Sequence, residues 1–282
     1  MGKIAIGIVL VTLLAITGLV LRRMMDERTQ RQMGQALLDT QTEHPRLFHP
    51  KMVENLPEPA QRYVLHAIAE GTPLLKAATI TMEGTLDLGT PEKAQQFTMN
   101  ANQVLAYPHG FLWTVEARRD HLWMSGSDGS IDGTSLSRFW LFGLLPVVRA
   151  GGTEDHFRSA LGRYAAEAVF WTPAALLPSE NVTWSATGEN SARVSLTHNG
   201  FEQSVDVTVD KEGRPFKVAL DRWTDANPEK RFTWQRFGGY LSEFREFEGF
   251  TLPTYVEAGN FFESDDYSPF FRAQVTSIKF SE

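Results

Sequence analysis

From Ile4 to Leu21 every residue is apolar or small, with Thr12 and Thr17 the only hydroxyls and no charge. Eighteen helical residues at 1.5 Å each cover about 27 Å, close to the hydrocarbon thickness of a bilayer. The pattern predicts a single transmembrane helix. No small-x-small cleavage site comes after it, because the chain passes directly into Leu21-Arg22-Arg23-Met24-Met25, so an uncleaved anchor is expected rather than a secretory signal. The stretch from Met24 to Leu38 can continue the helix until His44-Pro45 and His49-Pro50 break it. A short helix comes next, with Pro59 in its first turn, Ala60, Tyr63, Val64, Ala67 and Ile68 at three- and four-residue spacing, and Gly71 as the stop.

The hydrophobic period then changes from 3.6 to 2. In Thr79–Leu88 the even positions are apolar or glycine and the odd ones polar, the mark of a strand buried on one face. Val205, Val207 and Val209 repeat the alternation, and Lys211-Glu212-Gly213-Arg214 turns that strand into Phe216, Val218 and Leu220. Further strands are expected around 95–105, 111–117, 120–125, 181–186, 191–197, 231–237, 240–247, 251–258 and 270–280. Ala273 and Val275 share one phase and Ile278 and Phe280 the other, which predicts a bulge between them. One longer helix interrupts the strands over 154–171, with Thr153 as N-cap, Pro173 as stop, and an apolar stripe of Phe157, Ala160, Leu161, Tyr164, Ala168 and Trp171.

Strands joined by short turns, with one helix inserted, predict an α+β fold that is mainly antiparallel β: a curved sheet or half-barrel packed on one central helix, preceded by a single N-terminal transmembrane helix. The expected division is an anchor over 1–22, a helical or extended stalk over 23–55 and a β-rich domain over 56–282. The basic residues Arg22, Arg23, Arg28 and Arg31 lie just after the span, and the positive-inside count would hold the domain in the cytoplasm. Anchors with so short a leading tail commonly export the domain behind them, and a single-pass protein of a bacterial cytoplasmic membrane with an extracytoplasmic domain is the favoured expectation.

Composition narrows the function classes. A net charge of -7 argues against nucleic-acid binding, and the absence of cysteine excludes disulfides, thiolate chemistry and a lipobox. Seven Trp and nineteen Phe point to a thick core or an apolar cavity. Asp128, Ser130, Asp132 and Gly133 match positions 1, 3, 5 and 6 of a calcium loop, but position 12 is Phe139, and Asp-Gly turns between short strands explain the same residues. The seven histidines show no metal-ligand spacing, and there is neither a nucleophile elbow nor a phosphate-cradling loop. No catalytic residue, metal or cofactor is therefore assigned, and the expectation leans away from an enzyme.

Two segments carry the remaining interest. Arg163 and Glu167 lie one turn apart beside the stripe that ends at Trp171; they brace the structure, or hold a ligand if the sheet wraps the helix. The run from Phe139 through Trp140 and Phe142 to Val148 passes ten residues without a polar side chain. It would fill the open side of the sheet, cover an apolar cavity, or dip into the membrane. Arg163, Glu167, Trp171, Phe139, Trp140 and Phe142 are accordingly the candidate ligand-binding residues.

Leu56-Pro57-Glu58-Pro59 with Arg62-Tyr63 and Gly71, then Arg163-Tyr164, Glu167-Ala168, Trp171-Thr172-Pro173, Ala175-Leu176-Leu177-Pro178-Ser179 and Val182-Thr183-Trp184, together resemble a bacterial family of unknown function over most of residues 55–280. The resemblance brings no catalytic residues. Tyr240–Phe247 followed by Gly249-Phe250-Thr251-Leu252-Pro253-Thr254 resembles the hairpins of lipoprotein-carrier half-barrels, which implies an antiparallel sheet closing over helices around a cavity for acyl chains. The leading expectation is a membrane-tethered binding module, held by residues 4–21, for a lipid or other apolar ligand. A structural or assembly subunit of a membrane complex is the alternative, and a hydrolase the third reading.

Overall fold

The computed structural model describes residues 2–89 and 93–280. Met1, residues 90–92 and the last two residues, assigned by sequence to the anchor and the globular domain, lie outside the described part. Two helices come first, α1 (Gly2–Leu38) and α2 (Glu58–Ala67). Six strands succeed them: β1 (Ala77–Leu88), β2 (Gln95–Ala106), β3 (Gly110–Arg119), β4 (Leu122–Ile131), β5 (Thr134–Leu141) and β6 (Leu145–Gly151). Helix α3 (Glu154–Trp171) crosses over to β7 (Val182–Gly188), β8 (Ser191–His198), β9 (Phe201–Val209) and β10 (Pro215–Thr224). The chain ends with β11 (Thr233–Phe247), β12 (Phe250–Asn260) and β13 (Ser268–Lys279).

All thirteen strands form one sheet in the order β6-β5-β4-β3-β2-β1-β13-β12-β11-β10-β9-β8-β7. The chain enters in the middle at β1, meanders to one edge, crosses on α3 to the other edge, and meanders back until β13 pairs antiparallel with β1. Strand-to-strand rotations of roughly 20–25° accumulate over such a sheet to more than half a turn, so it must curl. Glycines permit the tightest approaches: a Cβ on Gly84 would lie 1.9 Å from the Arg272 carbonyl oxygen, and one on Gly239 1.8 Å from that of Glu257. The expected bulge is present, since Thr81 faces Ser277 while Met82 faces Val275.

The two strands expected at 231–237 and 240–247 are one long strand, because Gly238 and Gly239 keep their register with β10 and β12 and the pairing runs through them. Phe139 to Val148 is not a plug across the sheet but the facing halves of the β5–β6 hairpin. Asp128-Gly129 lies within β4 and only Asp132-Gly133 forms a turn, because Asp128 pairs in register with Ser137.

Helix α3 sits in the curve and buries its whole predicted stripe, from Phe157 to Trp171, against β9, β10 and neighbouring strands. The Thr153 side chain accepts from the His156 amide, as the N-cap reading expects. Helix α2 closes one end, where the Tyr63 hydroxyl donates to the Val169 carbonyl at 2.5 Å.

The apolar half of α1 is exposed, and among the described residues it is the one segment long and apolar enough to cross a membrane. Its second half lies along the outer face of the sheet. Asp26, Gln30, Met33 and Leu37 share one helical face. Met33 and Leu37 are buried against Ala77, Ala106 and Leu112, and Gln30 donates to the Ser127 hydroxyl at 2.9 Å. Asp26 accepts from both terminal nitrogens of Arg149 at 2.6 and 2.9 Å and from the Trp140 indole at 3.0 Å. Burial alone would raise the Asp26 pKa, but the Arg149 charge and these hydrogen bonds outweigh it and hold the carboxyl below its usual range.

Asp26→Asn should therefore loosen this contact by about 1–2 kcal/mol, roughly a tenfold rise in opening, read as faster amide exchange over residues 26–38 with α3 unchanged. A folded pKa below the unfolded 3.8 means that the stabilisation is full above that value and is lost as pH falls through the lowered one. Wild-type α1 should thus stay docked at neutral pH and loosen only in acid, whereas the Asn variant should show no such acid step.

Candidate functional site: an apolar cavity under the central helix

One helix does not fill the curve of thirteen strands. Between α3 and the inner face of the sheet a cavity of about 300 Å³ remains, at the lower end of the range typical of small-molecule sites. Leu86, Leu88, Phe139, Phe237, Leu241 and Phe271 supply much of its apolar lining. Ala166 on α3 and Ala258 on β12 line it with short side chains, and Gly239 on β11 is fixed by strand approach, since a Cβ there would lie 1.8 Å from the Glu257 carbonyl oxygen. Leu88, Met124, Phe139 and Phe271 are only partly buried, and they stand near the ends of β1 and β5 and the starts of β4 and β13. They mark the rim.

Asp128, Arg163, Glu167, Arg222 and Glu257 also reach the cavity wall. Arg163 donates to Glu167 Oε1 and to Asp128 Oδ2, each at 2.8 Å, and lies over the Phe111 ring at 4.5 Å. Gln103 on β2 completes the set by donating to Glu167 Oε2 at 2.7 Å. Burial alone would lower the Arg163 pKa, but its two carboxylates raise it, so the group is a permanent cation. The i,i+4 pair noticed in sequence is thus part of a bridge from α3 to β2 and β4.

Arg222 is held differently. Its Nε donates to the Ser159 carbonyl at 3.1 Å and its guanidinium lies 5.2 Å from the Phe237 ring centre. Among the described residues no carboxylate is within ion-pair distance of it. Desolvation, and then repulsion from Arg163, bring its pKa down to about 10. Glu257, by contrast, is paired with Arg272 at 3.3 Å.

Four of the six sequence candidates, Arg163, Glu167, Trp171 and Phe139, come together on this wall. Trp140 and Phe142 do not. Successive strand residues face opposite sides, so Trp140 points outward to Asp26. Phe142 sits in the β5–β6 turn with a positive φ of 51° and is 44% exposed. Sequence reasoning missed Arg222 and Asp128 as members of this wall, and Gln103 as the residue that holds Glu167 from β2. For Arg222 a signal existed: it continues the phase of Val218 and Leu220, so a charge occupies an inward position of a one-sided strand.

A hydrolytic reading finds a polar cluster but not the required order. His156 Nδ1 lies 2.8 Å from Ser135 Oγ and Nε2 lies 3.2 Å from Ser137 Oγ, while Ser137 donates to Asp128 Oδ1 at 2.6 Å. Both imidazole nitrogens meet hydroxyls, and the acid holds a serine instead of orienting the histidine, which is not the acid–base–nucleophile relay that acyl transfer uses. Burial lowers the His156 pKa, partly offset by Asp128. Among the described residues no group of three or more acidic, histidine or cysteine side chains could hold a metal ion.

Removing Arg163 would leave two enclosed carboxylates without their cation. Arg163→Met should lower stability by about 3–5 kcal/mol, and Arg163→Lys, which keeps the charge but not the two-directional fork, should fall between. Urea unfolding of the full chain in detergent measures both. An Arg163→Met variant with an unchanged midpoint would show that the bridge does not brace α3.

Two solved structures are similar to this chain. One, described as an outer membrane lipoprotein-sorting protein domain from Vibrio parahaemolyticus, is 13% identical, with 80% of this chain and 92% of that one covered at a TM-score of 0.44. The other, a LolA superfamily protein from Nitrosomonas europaea, is 9% identical, with 79% and 92% covered at a TM-score of 0.43. No curated protein sequence matches the chain. A family profile matches residues 46–273, from the segment before α2 into β13, and by that match the chain belongs to the family of unknown function DUF6544.

Proposed function

We propose that this protein is a membrane-tethered, non-catalytic module that takes a lipid or other apolar ligand into the cavity beneath α3. The observation that carries this reading is the cavity itself: an apolar space of about 300 Å³ left between α3 and the sheet, where Ala166 and Ala258 contribute only short side chains to the lining. An empty apolar void forfeits dispersion contacts and weakens the fold, so a ligand that fills it recovers them.

The position of the rim supports a ligand that arrives from a bilayer. The Arg23 side chain packs over Gly143 in the β5–β6 turn, so the apolar half of α1 leaves the domain at that turn. Phe139 and Met124 of the rim are close to the same end of β4 and β5. Exposed Phe142, Leu145 and Val147 on this hairpin would meet the membrane interface there. In this reading residues 4–21 are the anchor, and residues 23–38 a mount that fixes the rim toward the lipid. The same exposed hairpin supports a second reading, a subunit that uses it as a protein contact within a membrane complex; stoichiometric co-purification of a partner would favour that.

The full chain in non-ionic detergent should enhance the fluorescence of N-phenyl-1-naphthylamine saturably. Ala166→Phe, which fills the cavity from α3, should weaken that binding at least tenfold while leaving amide protection in α3 intact. No saturable signal in the wild type, or equal binding by the variant, would sink the reading. Expressed in bacteria, the chain should remain with the membrane through alkaline extraction, and deletion of residues 2–21 should release it.

A further inference from the structure

The cavity wall holds four charged groups whose signs cancel, two arginines and two carboxylates, besides the Arg272-paired Glu257. Their contacts are unevenly shared. Asp128 and Glu167 both spend an oxygen on Arg163, and their other oxygens accept from Ser137 and Gln103. Arg222 makes a single hydrogen bond, through Nε to a main-chain carbonyl, which leaves its terminal nitrogens without an acceptor among the described residues. The indole nitrogens of Trp113 and Trp171, two further wall residues, are also buried without an acceptor. The wall therefore has hydrogen-bond donors to spare and no carboxylate oxygen of the Asp128–Glu167 pair left uncommitted.

A half-buried planar guanidinium beside apolar surface, as Arg222 is, is a usual partner of a carboxylate or phosphate, which it meets with two parallel bonds. Residues around Arg222 also fit an ionic head attached to an apolar body. The guanidinium lies against Phe237, and Phe237 continues into the apolar lining with Leu86 and Phe271. A volume of about 300 Å³ suits one chain rather than several.

Resting on the apolar-ligand reading above, we propose that the natural ligand is a single-chain anionic amphiphile, whose carboxylate or phosphate head is bound by Arg222 while its chain fills the cavity. The attraction comes from free donors held in place, not from an excess of positive charge. At neutral pH Arg222 is a cation, so the interaction persists across the physiological range.

The test is displacement of N-phenyl-1-naphthylamine from the full chain by four compounds: palmitate, hexadecyl phosphate, 1-hexadecanol and inorganic phosphate. At least one of the two charged amphiphiles should bind about tenfold or more tightly than the alcohol, and the stronger of them identifies the head as carboxylate or phosphate. Millimolar inorganic phosphate should not displace the probe; displacement by it would mean a free-anion site and overturn the amphiphile. Arg222→Gln should erase the preference of the charged amphiphiles over 1-hexadecanol, and Arg222→Lys should keep part of it. Equal affinity of alcohol and both anions for the wild type, a comparison that needs no variant, would overturn the assignment and leave the cavity reading standing. Failure of every chain-bearing compound to displace the probe would overturn both.

Discussion

Arg163 is a cation enclosed between a helix and a curved sheet, and it is tolerated there because Asp128 on β4 and Glu167 on its own helix each accept a 2.8 Å bond from it. Isolated burial of such a charge would be prohibitive, so the group fixes α3 relative to β4, and through Gln103 to β2 as well. Apolar packing of the stripe from Phe157 to Trp171 supplies more of the stability, but it is less directional. The position of the helix under the sheet, and with it the dimensions of the space left over, depends on this bridge.

That leftover space arises from a mismatch of sizes. A continuous thirteen-stranded sheet twists far enough to curl, and one eighteen-residue helix cannot occupy the whole interior. Proteins usually close such gaps with larger side chains, since interiors pack like organic crystals. Here Ala166 and Ala258 line the space with short side chains, and Gly239 stands where β11 and β12 approach too closely for any side chain. On the outer face the same sheet carries α1, whose Asp26 is gripped by Arg149 and Trp140. The two faces divide the work on adjacent residues of β5: Phe139 lines the cavity and Trp140 holds the helix.

Much of the architecture was legible in sequence because it is written in local periods. The bounds of α3, its cap at Thr153, the bulge before Ile278 and the continuation of α1 to Leu38 all derive from spacing and punctuation. Docking of α1 was not legible, since Asp26, Gln30, Met33 and Leu37 form a mixed polar and apolar face whose partners, Arg149, Ser127 and Leu112, are remote in the chain. The apolar run at 139–148 misled for a related reason. In β5 one side faces the cavity and the other lies under α1, while Leu145, Val147 and Val148 of β6 are exposed, so the run is apolar in both phases for two different reasons and looks like a buried plug or a lid. Among the site residues, Arg163 and Glu167 were visible through helical spacing, whereas Arg222 required knowing that its strand faces a cavity.

Native mass spectrometry of the full chain, released gently from detergent, puts the central claim to its most direct test: that the space under α3 is built to be occupied. The expected result is a population carrying one non-covalent adduct of lipid-like mass, stripped at higher collision energy to leave the bare polypeptide. A chain that emerges only bare, and stays so after incubation with membrane lipid extract, would contradict that claim.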